Sequence, residues 1–287
     1  MNRALAVPAA AALLLVAGCT NDFSPQSDLL AMRVLALQAT PLELLPTEDV
    51  RVLARNYLQS DVVEAHWTFC PLSAGAVSAY ACAVHGPRCE IPLTPATDGS
   101  VTTNPTANIL DCLASLGVTA PALPPASQVL TVFRYQAVTS SGAVREAVLQ
   151  VPQWTGAPPS GWERNIPPGI QEVLIGGVQV WAGGHATGTP PNLPLNGTLP
   201  VELLIDPATV QNYTDAAGVL QSEAMTGYFY TSGGTFSSGI TSGVDTTTNL
   251  EGTGIPAGQT TAEVWVVALD LRGGQTVAGP IIVPLGP

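Results

Sequence analysis

The chain has 287 residues and a formal net charge of −12, from 9 basic and 21 acidic residues. All the basic residues are arginines, and the excess of acidic groups excludes binding to nucleic acid as the main role, because phosphate backbones repel an acidic surface. A hydrophobic fraction of 46% excludes wholesale disorder, and 28 glycines with 26 prolines are typical of many short strands joined by turns.

The first 18 residues have the pattern of a targeting segment. Arg3 precedes an apolar run from Ala9 to Val16, and small residues then lead to Cys19. The run is too short to cross about 30 Å of hydrocarbon as a helix, which needs roughly 20 residues. It therefore predicts a cleaved signal peptide over residues 1–18. An ordinary secretory signal that is cut elsewhere, with Cys19 left as a free thiol, is the alternative.

The run Val16-Ala17-Gly18-Cys19 resembles the lipobox of bacterial lipoproteins. The resemblance implies that Cys19 is diacylated and becomes the mature N-terminus, which holds the protein on a membrane. Two acyl chains satisfy the physical requirement for stable anchoring. Residues 19–28 are predicted to form a short tether. Thr20 follows the cysteine where an Asp tends to mark inner-membrane lipoproteins, so the resemblance points to the cell envelope and, within it, to the outer membrane.

The remaining cysteines lie close together in the first half of the chain. In an exported protein, four such residues predict two disulfides, and the lack of C-x₂-C spacing disfavours a metal site. Three pairings are available, and sequence order favours Cys70–Cys82 with Cys89–Cys112. These bridges are expected to staple a long insertion after the third strand and not to join two sheets.

Alternating or apolar segments predict the strands of the first half. Trp67 and Phe69 are expected to share one face of the third strand. A short helix over 108–116 is predicted, with Asn108 as its cap and Gly117 at its end. The predicted strands are 29–42, 49–55, 64–71, 128–138 and 143–151.

The segment 155–169 contains four prolines and three glycines and is predicted to be a stiff linker between two domains. The second half repeats the strand pattern of the first. Residues 231–254 are expected to form loops and one weak edge strand. The predicted strands are 170–181, 199–206, 223–231, 262–271 and 276–284, and the last two are joined through Gly273-Gly274.

The run from Trp265 to Gly274 (WVVALDLRGG) resembles the penultimate-strand hairpin of Ig-like repeats in bacterial surface proteins. The resemblance implies an all-β fold. It implies two Ig-like β-sandwich domains in tandem, 29–154 and 170–287, after a cleaved signal peptide and a short tether. A shared fold of this kind carries no information about function.

No sequence motif for catalysis was found. The nucleophile elbow, the paired-histidine zinc motif and the phosphate-binding loop are all missing, and the three histidines are scattered. We therefore predict a protein that is not an enzyme and has no cofactor and no metal site. Asp270 is predicted to bond turn amides. A calcium site with Asp245 or Asp206 is the weaker alternative.

Three aromatic residues are candidates for binding. Tyr228 and Tyr230 are expected to face outward if Phe229 is in the core, and Trp162 lies in the linker. They could stack on a sugar or a partner protein, or they could pack within the protein. The sequence favours a non-catalytic envelope protein in adhesion, scaffolding or interaction. The alternative is a glycan- or protein-binding module on the outer membrane, and an envelope hydrolase is a remote third hypothesis.

Overall fold

The structure is a computed structural model that describes residues 27–117, 127–214 and 219–286. It confirms the predicted all-β fold, because the strands form two β-sandwiches, one on each side of the linker. The predicted signal peptide, Cys19 and all but the last two residues of the predicted tether lie outside the described residues.

The first sandwich pairs its first, second and fifth strands in one sheet and its other four strands in a second sheet. The order is β1-β2-β5 in the three-stranded sheet and β4-β3-β6-β7 in the four-stranded sheet. All these pairings are antiparallel. The strands are β1 (Arg33–Thr40), β2 (Val50–Tyr57), β3 (Val62–Cys70), β4 (Ile91–Leu93), β5 (Val101–Thr103), β6 (Gln128–Thr139) and β7 (Val144–Trp154).

The second sandwich has the same order with additional strands. Its strands are β8 (Ile170–Ile175), β9 (Val178–Ala182), β10 (His185–Ala186), β11 (Thr198–Ile205), β12 (Asn212–Thr214), β13 (Leu220–Ser222), β14 (Met225–Thr231), β15 (Thr235–Phe236), β16 (Ile240–Ser242), β17 (Asp245–Glu251), β18 (Thr261–Asp270) and β19 (Gln275–Pro284). One sheet runs β10-β9-β8-β11-β17-β15 and the other runs β16-β14-β18-β19. Strands β8, β11 and β17 thus correspond to β1, β2 and β5 of the first sandwich.

Each sandwich has its own hydrophobic core. Trp67, Phe69 and Phe133 are buried in the first, and the two phenylalanine rings have centroids 4.9 Å apart. Phe229 is the centre of the second core and packs on Phe236 at 5.6 Å. The alternation of apolar and polar residues along the strands therefore separates inner from outer faces as the sequence predicts.

Two disulfides join Cys70 to Cys82 and Cys89 to Cys112, the pairing that sequence order favours. Neither bridge links the two sheets, because only Cys70 lies in a strand. The expectation of a long insertion needs correction, since β4 and β5 of the sandwich lie within residues 70–112. Strands of three residues with prolines and glycines beside them are too short to stand out in the sequence.

The described residues contain one α-helix, α1 (Pro105–Ser115), which is too short to cross a bilayer. Its predicted start at Asn108 was wrong. Asn104 is the cap, and its side chain accepts a hydrogen bond of 3.1 Å from the Ala107 amide. The pair Asn104-Pro105 combines a favoured cap with a favoured first residue, so it begins the helix earlier. Gly117, at φ 69°, follows the end as predicted. Three short 3₁₀ helices cover Gln59–Asp61, Ala76–Ser78 and Pro207–Thr209.

Two strand predictions in the second half were also wrong. The predicted strand 170–181 is the hairpin β8–β9, because Gly176 and Gly177, at φ 58° and 75°, form a tight turn that suits only residues tolerant of positive φ. The predicted loop region 231–254 contains β17, which lies between β11 and β15. Its buried face includes Thr246 and Thr248, whose polar side chains conceal the alternation that an apolar face would show.

Candidate functional site

The two sandwiches pack side by side along a shared apolar interface. Strands β1 and β2 contribute Leu35, Ala36 and Tyr57, and Leu29 adds to them from the segment before β1. The second sandwich contributes side chains from β14, β18 and β19, of which Val267 is fully buried. The outer face of the β1-β2-β5 sheet therefore packs against the outer face of the β16-β14-β18-β19 sheet, and this contact sets the relative orientation of the two sandwiches.

Tyr228 and Tyr230 lie on the face of β14 opposite Phe229, as expected, but this face is covered by the first sandwich. Both are half-buried against the apolar cluster between the sandwiches. The guanidinium carbon of Arg33 lies 5.9 Å from the centroid of the Tyr230 ring. Burial raises the pKa of the Tyr230 phenol above its ordinary value of 10.0, so the ring stays neutral in the interface. These rings therefore contribute to packing between the sandwiches.

Trp162 also packs within the protein. Its ring meets that of Trp154 at 5.9 Å with an interplanar angle of 78°, an edge-to-face contact. Trp154 is the last residue of β7, so this contact fastens the predicted linker to the first sandwich. Of the two roles that the sequence allows for Trp162, ligand stacking or packing within the protein, the structure therefore favours packing.

The segment before β1 reaches across to the second sandwich. The Leu29 amide donates a 2.7 Å hydrogen bond to the Thr231 carbonyl, and the Thr231 amide donates to the Ser27 carbonyl at 2.9 Å. Residue 28 thus pairs in parallel with the end of β14. The residues directly before the first strand of the first sandwich are therefore bonded to the second sandwich.

A buried ion network holds the opposite end of the interface. The Arg272 guanidinium donates to Glu223 Oε1 through Nη1 and to Glu43 Oε1 through Nη2, both at 2.9 Å. It also lies 4.7 Å from the centroid of the Tyr213 ring. Glu43 belongs to the first half and Glu223 to the second, and both are buried. One arginine therefore bridges the two sandwiches.

The linker closes this network with further hydrogen bonds. The Asn165 amide donates to Glu43 Oε2 at 3.1 Å, and Asn165 Nδ2 donates to Asp270 Oδ2 at 3.2 Å. Asp270 also accepts bonds from the amides of Arg272 and Gly274, at 2.8 and 2.7 Å. This confirms the prediction that Asp270 bonds turn amides. Because Asn165 and Asp270 are buried and bonded, the linker is part of the folded junction.

A cleft of about 850 Å³ opens between the sandwiches, and both halves of the chain line it. Its volume lies in the range of small-molecule sites. Trp67 and Tyr135 form a buried part of its wall from the first sandwich. Trp181 on β9 and Trp265 on β18 line it from the second sandwich. Both are partly exposed, and Trp265 also packs against the apolar cluster between the sandwiches. The cleft is the candidate functional site because it combines concavity with accessible aromatic rings.

The ring of Trp265 is held in place by its neighbours. A Cβ on Gly279 would come within 2.8 Å of the indole, so the ring rests directly on a residue that has no side chain. Gly279 is at φ 133°, a conformation that other residues rarely adopt. The indole Nε1 donates to Glu263 Oε2 at 3.2 Å. These contacts fix the orientation of the ring before any ligand arrives.

Two charged side chains line the cleft, both from the first sandwich. Arg55 is exposed and donates through Nε to Gln38 Oε1 at 2.9 Å. Asp98 accepts from the Ser100 hydroxyl and amide, at 2.6 and 3.0 Å, and from Arg51 at 2.6 Å. The hydrogen bonds from Ser100, followed by that from Arg51, hold the pKa of the Asp98 carboxyl far below its ordinary value. This carboxylate is therefore committed to its neighbours and is a poor proton acceptor.

Asn56 places an unpaired acceptor in the wall of the cleft. Its Nδ2 donates to Gln59 Oε1 at 2.7 Å and to the Tyr135 hydroxyl at 2.8 Å. Its Oδ1 is buried and takes no hydrogen bond from any protein group in the described residues. An acceptor left in this state costs about 1–3 kcal/mol.

The histidines and acidic residues that the sequence offers for catalysis or metal binding do not form a cluster in the described part of the chain. The three histidines are exposed, and each has a polar partner close in sequence: Glu64 for His66, Glu90 for His85 and the Gly183 carbonyl for His185. Asp206 caps a short helix by accepting from the Ala208 amide. Among the described residues, no three acidic, histidine or cysteine side chains converge as metal ligands would.

Sequence reasoning missed Trp181 and Trp265 as site residues. Trp181 was assigned to the predicted strand 170–181 and Trp265 to the predicted strand 262–271, and neither was considered as a binding residue. One signal was available, because residues 262–269 are apolar at nearly every position. Such a run predicts a strand covered on both faces, which indicates that something packs on the outside of this sheet.

Comparisons with known proteins add little to this description. No family model matches the chain, and no curated protein matches it. Among solved structures, the fibronectin(III)-like modules of CbhA from Clostridium thermocellum align at 10% identity over 87% of this chain and 93% of theirs, with a TM-score of 0.26. A DUF3823 family protein from Bacteroides ovatus aligns at 11% identity over 78% of this chain and 91% of its own, with a TM-score of 0.23. Scores this low carry no argument, so the sandwich assignment rests on the strand order itself.

Proposed function

We propose that this protein is a non-catalytic interaction protein of the cell envelope, anchored by lipid on Cys19, which binds its ligand in the cleft between its two sandwiches. The observation that carries the proposal is the composition of the cleft. It offers two half-exposed tryptophans, while its one carboxylate, on Asp98, is already bonded to Ser100 and Arg51. Such a site has groups for holding a ligand, and none of the described residues in its wall is placed as a general base or an activated nucleophile.

The fixed arrangement of the sandwiches supports a binding or scaffold role. A cleft formed by two separate folding units keeps its shape only if the units are held together, and here Arg272 and the interface around Tyr57 hold them. Pre-formed sites bind more tightly because less ordering is required when the ligand arrives.

The start of the described chain supports a position close to the membrane. Eight residue steps separate Cys19 from Ser27, and an extended chain spans at most about 3.5 Å per residue, or roughly 28 Å in all. Ser27 is bonded to Thr231 of the second sandwich. If Cys19 carries the lipid, the interface between the sandwiches stays within about that distance of the bilayer, so partners at the envelope surface are within reach.

Metabolic labelling with radioactive palmitate, followed by membrane fractionation, tests the anchor. We expect the wild-type protein to be labelled and to sediment with outer-membrane fractions, and the Cys19→Ala variant to lose both properties. A Cys89→Ser/Cys112→Ser variant is the matched control, because it removes two cysteines and leaves Cys19. Equal labelling of the wild type and Cys19→Ala, or a cytosolic wild type with its leader intact, would overturn the proposal.

A further inference from the structure

We infer that the cleft binds a neutral oligosaccharide, with Trp181 and Trp265 stacking on sugar rings and polar side chains of the first sandwich bonding the hydroxyl groups. The inference rests on the proposed function and names the ligand class of the same site. It differs from the sequence-based expectation in its residues, because Trp181 and Trp265 line the cleft and Tyr228, Tyr230 and Trp162 are not among its lining residues.

The aromatic residues provide the first argument. A sugar ring presents a face of C–H groups that is apolar and flat, and a tryptophan ring offers the matching surface. Trp265 is pre-oriented by Gly279 beneath it and by the bond to Glu263. Trp181 comes from another strand, β9, so the two rings present separate surfaces in one cleft. Two separate aromatic surfaces suit a ligand with more than one ring.

The polar lining provides the second argument. Arg55, Gln59 and Asp98 are exposed in the cleft and end in planar groups with several hydrogen-bonding atoms. A ligand dense in hydroxyl groups can donate to some of these atoms and accept from others. The three exposed groups already have protein partners, and each keeps further donor or acceptor positions that a ligand could use.

The charge of the cleft provides the third argument. Among the described residues, Arg55 and Asp98 are the charged groups that line it, and Asp98 is already paired with Arg51, so the cleft gathers neither sign of charge although the whole chain carries −12. A site for phosphate or sulfate groups would gather several cations, and a site for a basic peptide would gather carboxylates. A balanced cleft on an acidic protein therefore selects a neutral, polar ligand.

The test uses the detergent-solubilised full protein on an array of neutral and acidic oligosaccharides from bacterial surfaces and plant cell walls. We expect binding to neutral oligosaccharides. For the best ligand, titration should show that Trp181→Ala and Trp265→Ala each weaken binding by about tenfold or more. Trp181→Phe and Trp265→Phe should be intermediate. Trp162→Ala, which removes a tryptophan outside the cleft, is the matched control and should bind within about twofold of the wild type.

A second measurement does not depend on the variants folding. Oxidation of exposed tryptophans by N-bromosuccinimide, read by mass spectrometry, should modify Trp181 and Trp265 in the free protein and spare them when the sugar is bound. The inference is overturned if no array sugar binds, if only acidic sugars bind, or if bound sugar leaves both tryptophans reactive. A peptide that occupies the cleft in place of any sugar would overturn it too. None of these results changes the palmitate labelling, so the two proposals fail separately.

Discussion

Arg272 Nη2 lies 2.9 Å from Glu43 Oε1 and joins two side chains that are 229 residues apart in sequence. The same guanidinium bonds Glu223, whose side chain is fully buried. Removing one partner from a buried ionic network leaves the others charged and unpaired, which costs about 3–5 kcal/mol. We expect Arg272→Met to lower the free energy of unfolding by this amount. Calorimetry should then show two transitions, because the sandwiches unfold separately.

The matched control for this variant is Arg51→Met, which breaks the exposed pair with Asp98. Its effect should be much smaller, because exposed pairs are screened by water. Adding Glu43→Gln and Glu223→Gln to Arg272→Met should recover part of the lost stability, because the uncompensated charges are then gone. An unchanged melting profile for Arg272→Met would contradict a bridging role for this residue.

The tyrosine at position 230 is expected to stabilise the interface. Tyr230→Ala removes a half-buried ring between the sandwiches and should lower the free energy of unfolding by about 1–3 kcal/mol, measured in urea. Leu271→Ala, at a residue that is 74% exposed, should change it by less than about 0.5 kcal/mol. Full stability of Tyr230→Ala together with a loss of ligand binding would return this residue to the list of binding candidates.

The disulfide between Cys89 and Cys112 closes a loop over a sequence separation of 23 and ties α1 to the segment before β4. Cross-links of this loop size contribute about 3 kcal/mol, mainly by restricting the unfolded chain. We expect Cys89→Ser/Cys112→Ser to lower the free energy of unfolding by about this amount under oxidising conditions. The wild type in reductant should approach the same value or fall below it, since both of its bridges are then open. Equal stability of the oxidised wild type and the double variant would contradict the bridge.

The pair formed by Glu48 and Arg164 should make stability depend on pH. Burial raises the pKa of the Glu48 carboxyl, but the bonds from Arg164 and the Leu45 amide outweigh it, so the pKa lies below its ordinary value of 4.5. A lowered folded-state pKa stabilises the protein above the ordinary value, and this contribution disappears as the pH falls through the folded-state pKa. Glu48→Gln should therefore be less stable than the wild type near pH 7.

The difference between the two proteins should shrink below about pH 4.5 and vanish once the wild-type carboxyl is protonated. Urea midpoints across this range measure it. In the background of Arg164→Gln, the same substitution should have a smaller effect at pH 7, because the main partner is gone. A difference that is constant with pH would show that Glu48 acts through packing alone.

Much of the fold follows from local sequence patterns, whereas the site depends on long-range contacts. Val50 and Val52 alternate with exposed Arg51, and this pattern places them in a core without further information. The burial of Tyr228 and Tyr230 could not be read locally, because it depends on β1, which lies almost 200 residues earlier. The cleft was missed for the same reason, since Trp181 and Trp265 come from the second sandwich and its opposite wall, with Trp67, comes from the first.

The bond between Leu29 and Thr231 has a consequence for biogenesis. Residue 29 is synthesised about 200 residues before residue 231, so the segment before β1 has no pairing partner until much of the second sandwich has been made. If the chain is exported and Cys19 is lipidated as proposed, the polypeptide would be attached to a bilayer while its final architecture is still incomplete.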